Sequence, residues 1–320
     1  MKPPTDPRPA AISRYLANKG WVHPQSVEFL AAGEYNENYL VIDGASRCVF
    51  RINHGSQLAL ERQIEYEHGV LQCLADTGVT PKPIEVDPDA PFGNGVLLME
   101  YIPGNPFDYT RDMLKAARTF ALIHRTPPSP NLISQVDPVA DIISESEGMI
   151  AMFGDHPLTE QKSALLKYRD RLRMCLSDSA SVFETDDTTI TNTEVNSGNF
   201  IVNGEDAFLV DWEKAVNSYR YQDLGHFLVP TTTLWKTDFL FDEASRHRFL
   251  ASYKKHSEVG IDIEELGQKT KVMEDVIRLR ALSWCYMAYY EYTQLDRALR
   301  NQDTLQRIRW YLDEIAWFLR

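Results

Sequence analysis

"TNTEVNSGNFIVNGEDAFLVDWE", residues 191–213, is the stretch of the chain that decides the predicted fold. It contains two short apolar runs, NFIV and AFLV, which are separated by the four residues NGED at 203–206. An Asn-Gly pair between two such runs is the strongest short-range signal of a β-hairpin. The stretch therefore predicts a tight hairpin whose polar residues lie at its ends.

The register of this hairpin determines which polar side chains meet. If residues 203–206 form the loop, Asn199 pairs with Val210, and Asp211 lies beside Asn199 at the open end. Paired strands hold such neighbours about 5 Å apart, near enough for two side chains to share one divalent cation. Glu194 precedes Asn199 by five residues, on the loop that enters the hairpin. Asn and Asp are also common turn formers, so the spacing alone leaves an ordinary surface hairpin as an alternative.

A carboxylate, an Asn five residues later and an Asp on the next strand form the layout used in metal-assisted phosphoryl transfer. In that layout Asn199 and Asp211 hold Mg²⁺ on the nucleotide phosphates, and Glu194 receives or orients the proton of the attacking hydroxyl. Mg²⁺ prefers oxygen ligands and keeps much of its water, so two protein ligands can suffice. The motif thus predicts ATP and Mg²⁺ as cofactors.

The composition indicates a soluble, globular chain. Its 320 residues are 43% hydrophobic and 25% charged, and this length favours two lobes over one. No apolar run approaches the roughly 20 residues of a membrane span, and the N-terminus lacks the apolar core of a signal peptide. Four cysteines are scattered without a metal-binding spacing, which is typical of a reducing compartment. We therefore expect a cytoplasmic protein without a membrane partner.

The net charge of −13 argues against sequence-independent binding of nucleic acids, which depends on Lys and Arg neutralising phosphates. The same charge would suit a cationic ligand, but solubility is the favoured account of it, because net charge bears on solubility more than on sites. The expected partner is a small molecule, and the sequence says nothing about oligomeric state.

The pattern of apolar residues divides the chain at about residue 103. Residues 1–103 contain strand-like runs broken by Gly and Asn-Gly, together with one main helical segment. Residues 104–320 show mostly helical spacing, interrupted by the hairpin. The segment 263–299 is interpreted as more than one helix. Ligands often bind between two such lobes.

The segment "NTEVNSGNFIV…FLVDWEKAVNSYRYQDLGHFL" resembles the catalytic region of the aminoglycoside phosphotransferase and choline kinase superfamily. That region reads His-Gly-Asp, then Asn, an Ile-Asp-Trp/Phe-Glu strand and a later Asp-Leu. The resemblance covers most of the chain. It implies a bilobal α+β fold of the protein-kinase type, in which an antiparallel sheet with one main helix forms the N-lobe and helices form most of the C-lobe.

The resemblance also implies roles for individual residues. Asn199 and Asp211 correspond to the metal ligands, and Asp223 to a buried residue that braces the catalytic loop. "CVFRIN" and the helix after it are similar to the family's phosphate-binding strand and its ion-pairing acid, which are Arg51 and Glu67 here.

Two further segments resemble parts of the family's nucleotide site. "VLLMEYIPG" resembles the connection between the lobes, where the backbone of Glu100, Tyr101 and Ile102 would bind adenine. "AAGEYNENYLV", residues 31–41, takes the position of the loop that covers the phosphates, although it has one glycine and no GxGxxG.

The chain departs from the family pattern at three positions. Glu194 replaces the catalytic Asp, Asn192 replaces the usual His, and Arg51 stands where many relatives carry Lys. Glu is one methylene longer than Asp, and a general base must reach within about 3 Å of the proton it accepts. The change at Glu194 therefore puts the rate of the chemistry in doubt.

The helical segment "LSWCYMAYYEY" contains the candidate substrate residues. Trp284 and Glu291 lie near one helical face, where an aromatic ring and an acid could bind an ammonium group. Plain packing of a late helix is the alternative for these residues. His124, which ends an apolar helix, is interpreted as a capping or packing residue.

Together these features predict a kinase that phosphorylates a hydroxyl of a small molecule such as an amino alcohol, a sugar or an aminoglycoside. The alternative is a nucleotide-binding pseudokinase with a regulatory or scaffold role, because Glu194 and Asn192 depart from the family's catalytic motif.

Overall fold

The structure is a computed structural model, and it describes residues 8–33, 35–177, 179–258, 260–294 and 302–320. The chain forms two compact units. The first contains the chain up to Pro106 together with Ser129–Leu132 and Asn199–Ala215. The second contains Phe107–Pro128, Ile133–Gly198 and the chain from Val216 onward. The predicted division into lobes at residues 1–103 and 104–320 stays a prediction.

The first unit is rich in strands. Its elements in chain order are α1 (Arg8–Lys19), β1 (Ser26–Ala32), β2 (Asn36–Asp43), β3 (Ser46–Asn53), α2 (Gln63–Leu74), a 3₁₀ turn (Ala75–Thr77), β4 (Pro83–Asp87), β5 (Val96–Glu100), β6 (Asn105–Pro106), β8 (Phe200–Asn203) and β9 (Asp206–Leu209). An antiparallel five-stranded sheet has the order β1-β2-β3-β5-β4, and β6-β8-β9 form a second sheet.

Strand β3 lies at the centre of the larger sheet and is buried from Cys48 to Asn53. Side chains alternate between the two faces of a strand. Phe50 and Ile52 pack with Ile12 of α1 in one apolar cluster. Arg51 therefore points to the opposite face, where it bonds to Glu67 of α2.

The second unit is mostly helical. Its elements are α3 (Tyr109–Ile123), α4 (Pro138–Ala151), α5 (Thr159–Cys175), α6 (Ser179–Phe183), β7 (Thr189–Thr191), a 3₁₀ turn that begins at Ser197, β10 (Val216–Ser218), α7 (Tyr221–Leu228), α8 (Pro230–Lys236), α9 (Glu243–Ser257), α10 (Ile263–Gln294), α11 (Gln302–Asp313) and α12 (Ile315–Phe318). Strands β7 and β10 pair antiparallel at the root of the predicted catalytic loop.

The predicted fold class is confirmed: an antiparallel sheet with one main helix precedes a mostly helical region. The interpretation of residues 263–299 as more than one helix is wrong for the described part, because α10 is continuous to Gln294. Gly267 does not break it, since an interior Gly costs only about 1 kcal/mol and buried residues line the whole helix. Residues 295–299 lie outside the described residues. In the described part of the chain, none of the helices has the length and apolar character needed to span a bilayer.

We predict that Gly225→Ala destabilises the second unit. A Cβ on Gly225 of α7 would lie 2.9 Å from the backbone nitrogen of Glu274 and 2.9 Å from Cβ of Met273, both on α10. Such overpacking costs about 1–3 kcal/mol. Urea denaturation should show this loss in the free energy of unfolding.

The matched control is Gly148→Ala, which makes the same substitution in α4 with no atom within 4 Å of the new Cβ. Removing a helical Gly at an open position stabilises by about 0.5–1 kcal/mol. Equal effects of the two substitutions would contradict close packing of α7 on α10.

Candidate active site

The hairpin has the register that the sequence predicts. Val202 pairs with Ala207, and the Val210 N–H donates to the Asn199 carbonyl oxygen at 2.9 Å. The turn is tighter than predicted, because the pairing continues to Asn203 and Asp206. Gly204 adopts a φ of 59° in the resulting two-residue loop, a conformation that residues with side chains rarely adopt. The Asn-Gly signal therefore set both the turn and the neighbours of Asn199.

Asp211 lies just after β9 in a strained backbone conformation. Its φ is 67°, in the left-handed region that non-glycine residues avoid. Its side chain is 35% exposed, and Oδ1 accepts a hydrogen bond from Nη1 of Arg51 at 3.0 Å. Strain of this kind costs about 1–3 kcal/mol and is concentrated at functional sites. The contact with Arg51 holds the carboxylate in one position.

Arg51 is the centre of a buried ion network. It is only 5% exposed, and its Nη1 also donates to Glu67, which is 1% exposed. Its Nε donates to Oδ1 of Asn38 at 2.9 Å. Oε1 of Glu67 also accepts from the backbone N–H of Trp212, the residue after Asp211, at 3.3 Å. The network therefore joins β3, α2 and the segment after β9.

Electrostatics keep the Arg51 guanidinium of this network charged. Burial lowers the pKa of Arg51, but the neighbouring carboxylates of Glu67 and Asp211 raise it by more. The net shift is upward, so the guanidinium keeps its proton. Burial raises the pKa of Glu67, and the adjacent Arg51 opposes that shift. Within the described residues, Oε2 of Glu67 is buried without a hydrogen-bond partner. Arg51 is thus a fixed positive charge beside a partly exposed carboxylate.

The chemistry of the hairpin end fits a hard divalent cation. Asn199 and Asp211 offer amide and carboxylate oxygens, which Mg²⁺ prefers, and Mg²⁺ retains several waters when bound. No set of three or more His, Cys, Asp or Glu side chains suited to a metal occurs in the described ranges. Asn199 and Asp211 would supply two protein ligands, and two can suffice for Mg²⁺ because it keeps several waters.

A second buried network, which sequence reasoning missed, lies next to the first. The Asn36 amide donates to Oε2 of Glu213, and the Asn53 amide donates to Oδ1 of Asn36 at 3.0 Å. Gln63 of α2 donates to the Glu213 carbonyl oxygen at 2.8 Å. These contacts attach the start of β2, and with it the predicted phosphate-covering loop, to the segment that contains Asp211. Glu34 of that loop lies outside the described residues. The available signal was the presence of two asparagines at the ends of apolar strands.

The predicted catalytic loop belongs to the second unit, where Asp223 of α7 holds its backbone. Asp223 is fully buried, and its two carboxylate oxygens accept from the N–H groups of Asn192 at 2.9 Å and Thr193 at 2.8 Å. Thr193 has a φ of 67°. The Glu194 N–H donates to Oδ1 of Asn192 at 3.1 Å. Through these contacts the side chains of Asp223 and Asn192 hold the backbone from Asn192 to Glu194 in place.

His124 has a larger role than the capping or packing that the sequence suggested. It ends α3, as expected of a cap. Its Nε2 also lies 3.2 Å from Oδ2 of Asp223, and its Nδ1 lies 3.0 Å from the hydroxyl of Tyr253. Burial lowers the pKa of His124, although Asp223 opposes this shift. The sequence offered no signal for this contact, because 99 positions separate His124 from Asp223.

The remaining predicted residues lie at the end of β5, in the segment that follows it, and on α10. Glu100 ends β5, and its N–H donates to the Lys82 carbonyl oxygen at 2.8 Å, while Tyr101 and Ile102 follow beyond the strand pairing. Trp284 and Glu291 lie on α10, both partly exposed. The ring of Trp284 contacts that of Trp235 edge to face at 5.7 Å between centroids.

The chain is similar to known phosphotransferases. The model of the phosphotransferase enzyme family matches residues 26–266. A spectinomycin phosphotransferase, solved with ADP and spectinomycin, is 15% identical, with a TM-score of 0.61 over 99% of both chains. An ethanolamine kinase of Plasmodium vivax is 13% identical, with a TM-score of 0.68 over 97% of this chain and 88% of the kinase.

A third similar structure is an amicoumacin kinase in complex with AMP-PNP, Ca²⁺ and a ligand named Ami. It is 16% identical, with a TM-score of 0.63 over 94% of this chain and 92% of the kinase. A search of the curated proteins by sequence finds no match. The family model covers well over half of the chain and includes both the buried ion network and the braced loop, so the chain belongs to the phosphotransferase enzyme family.

Proposed function

We propose that the protein is an ATP- and Mg²⁺-dependent kinase that phosphorylates a hydroxyl of a small molecule such as an amino alcohol, a sugar or an aminoglycoside. The observation that carries the proposal is the double contact of Arg51, which bonds to both Glu67 and Asp211. Phosphoryl transfer in protein kinases requires an ion pair between a basic residue of a strand and an acid of a helix, together with an Asp that holds Mg²⁺.

The roles in nucleotide binding follow from charge and position. Asn199 and Asp211 would hold Mg²⁺, which neutralises charge on the phosphates when it is bound. Arg51 would contact phosphate oxygens, for which its planar, always charged guanidinium is suited. Glu67 would keep Arg51 in place, and the backbone from Glu100 to Ile102 would bind adenine. The ADP and AMP-PNP in two similar structures support nucleotide use by this chain.

The roles in group transfer involve the braced loop. In the reaction an acceptor hydroxyl oxygen forms a bond to the γ-phosphorus, the bond from that phosphorus to the ADP oxygen breaks, and the hydroxyl proton leaves. Glu194 would receive or orient that proton, while Asp223 holds the loop backbone. Glu194 is one methylene longer than the family's Asp. The loose, electrostatically stabilised transition state of phosphoryl transfer tolerates an imperfect base.

The alternative function is a nucleotide-binding pseudokinase with a regulatory or scaffold role. Two observations favour it, namely Glu194 in place of Asp and Asn192 in place of His. Such a protein would bind ATP through Arg51 and Glu67 without transferring phosphate. Measurements of turnover and of nucleotide binding on the same variants separate the two functions.

We predict that Asp211→Asn lowers ATP- and acceptor-dependent turnover at least 100-fold and raises the Mg²⁺ concentration needed for half-maximal rate. The substitution keeps the size of the side chain but removes the negative charge that attracts the cation. ADP release across a panel of amino alcohols, sugars and aminoglycosides, measured over a range of Mg²⁺ concentrations, tests this.

The matched control for Asp211 is Asp206→Asn, which makes the same change at an exposed position of the same hairpin. We expect this variant to keep its turnover and its dependence on Mg²⁺. Unchanged turnover in Asp211→Asn would remove the metal assignment.

We further predict that Glu194→Gln lowers kcat at least 100-fold with little change in the KM for ATP, while Glu194→Asp retains measurable turnover. A carboxylate in the loop can take up the proton, whereas an amide cannot, and general-base catalysis typically contributes about 10²–10⁴-fold. Glu205→Gln, at the exposed turn of the hairpin, is the matched control.

Steady-state rates of the Glu194 variants are compared with their ATP-dependent melting temperatures. If neither the unmodified protein nor either variant turns over any acceptor, while ATP still raises the melting temperature, the pseudokinase function gains. Measurable turnover that neither substitution alters would instead remove the catalytic role of Glu194.

A further inference from the structure

Arg280 is a partly buried cation next to the predicted catalytic loop. It lies on α10 and donates one hydrogen bond, from Nη2 to the carbonyl oxygen of Thr193 at 3.1 Å. A guanidinium carries five N–H donors. Within the described ranges, the other donors of Arg280 have no protein partner, and no carboxylate forms an ion pair with it.

The other cations of α10 differ from Arg280 in this respect. Lys269 pairs with Asp186 and Glu265, while Lys271 and Arg278 both pair with Asp275. Taking a charge partly out of water is unfavourable unless an opposite charge compensates it. The helix thus neutralises each of its cations except the one that touches the catalytic loop.

The position of Arg280 relates it to the acceptor. Thr193 directly precedes Glu194, which under the proposed function takes up or orients the proton of the acceptor hydroxyl. Thr193 is held on both sides, because Asp223 accepts from its N–H and Arg280 donates to its carbonyl oxygen. The guanidinium therefore contacts the residue next to Glu194, where the acceptor hydroxyl reacts under the proposed function.

Arg280 also begins a partly exposed stripe of α10. The residues of this stripe follow one helical face at spacings of three or four, and they are Arg280, Trp284, Met287 and Glu291. Most positions between them, including Leu282 and Tyr286, are buried, whereas Ala281 and Tyr289 are partly exposed. At a rise of about 1.5 Å per residue, Glu291 lies roughly 16 Å from Arg280 along the helix, too far to neutralise it.

We infer that the acceptor carries an anionic group, a carboxylate or a phosphate, which binds the guanidinium of Arg280. This inference rests on the proposed function and refines its substrate class. Arg binds such groups through two parallel N–H···O bonds, and Arg280 has donors to spare for them while it keeps its bond to Thr193. The body of the acceptor then contacts Trp284, whose ring is held by Trp235.

The competing account is that Arg280 only clamps the strained backbone of Thr193. A clamp needs only one donor. Because loss of the clamp would displace Glu194, it would lower the turnover of every acceptor to the same extent. An anion site acts only on acceptors that carry the charge. This difference provides the test.

The experiment compares charged acceptors with neutral counterparts of the same shape. Glycerate, gluconate, glucuronate and glycerol 3-phosphate are assayed beside glyceramide, gluconamide, glucuronamide and glycerol, with choline and ethanolamine as cationic acceptors. We expect an anionic compound to be the preferred acceptor. For it, Arg280→Gln should lower kcat/KM about 100-fold through KM, with the KM for ATP within twofold of the unmodified protein.

Three results complete the test of Arg280. For the neutral counterpart of the preferred acceptor, Arg280→Gln should lower kcat/KM less than threefold. For the anionic acceptor, Arg280→Lys should recover part of the loss in kcat/KM. Lys271→Gln, which removes a cation from an exposed position on the same helix, should leave kcat/KM unchanged for both acceptors. Equal losses on charged and neutral acceptors, or a preference for choline or ethanolamine that Arg280→Gln leaves unchanged, would overturn the inference in favour of a clamp.

A binding measurement separates failure of this inference from failure of the proposed function. The same anions are tested for an increase in melting temperature in the presence of ADP and Mg²⁺. An anion that stabilises the unmodified protein but not Arg280→Gln supports the site even if no acceptor is phosphorylated, in which case only the kinase assignment fails. If no anion in the panel depends on Arg280 for either binding or turnover, the site does not exist.

Discussion

The buried ion network of Arg51, Glu67 and Asp211 is the constraint on which the first unit depends. A charge that loses its water needs a partner, and removing one member of a buried pair typically costs about 3–5 kcal/mol. Arg51 is 5% exposed and Glu67 1%, so neither can return to water without unfolding its surroundings. The network therefore fixes a strand, a helix and the end of a hairpin to one another, and it leaves the Asp211 carboxylate partly accessible.

Backbone strain occurs before and after the hairpin along the chain and is held in two different ways. Asp211 and Thr193 share a φ of 67°, and neither is a glycine. Asp211 is held through its side chain by Arg51. Thr193 is held through its backbone by Asp223 and Arg280. Each conformation costs about 1–3 kcal/mol and persists only where surrounding contacts determine it. The resemblance to phosphotransferases implies roles for Asp211 and for Glu194, the residue after Thr193, and strain of this kind is concentrated at functional sites.

The parts of the site that could be predicted from sequence are those with local or motif signals. The register around Asn199 follows from a turn of two residues, and the ion pair of Arg51 with Glu67 was implied by the family resemblance. The Asn36–Glu213 contact and the His124–Asp223 contact were missed because their partners are 177 and 99 positions apart. The segment 263–299 was interpreted as more than one helix, whereas α10 continues to Gln294, because buried residues along its length stabilise it across an interior Gly.

The sequence by itself determined the hairpin, the alternation of strands and helices, and the family, because each depends on residues that are close in the chain or on a motif of fixed spacing. Only the tertiary structure decided which charges are paired. Four cations lie on α10, and their identity cannot reveal that three of them have acidic partners while Arg280 contacts Thr193. Pairing depends on which distant segments the fold brings within a few ångströms, since Coulomb attraction in a partly buried site acts through distance in space and not along the chain.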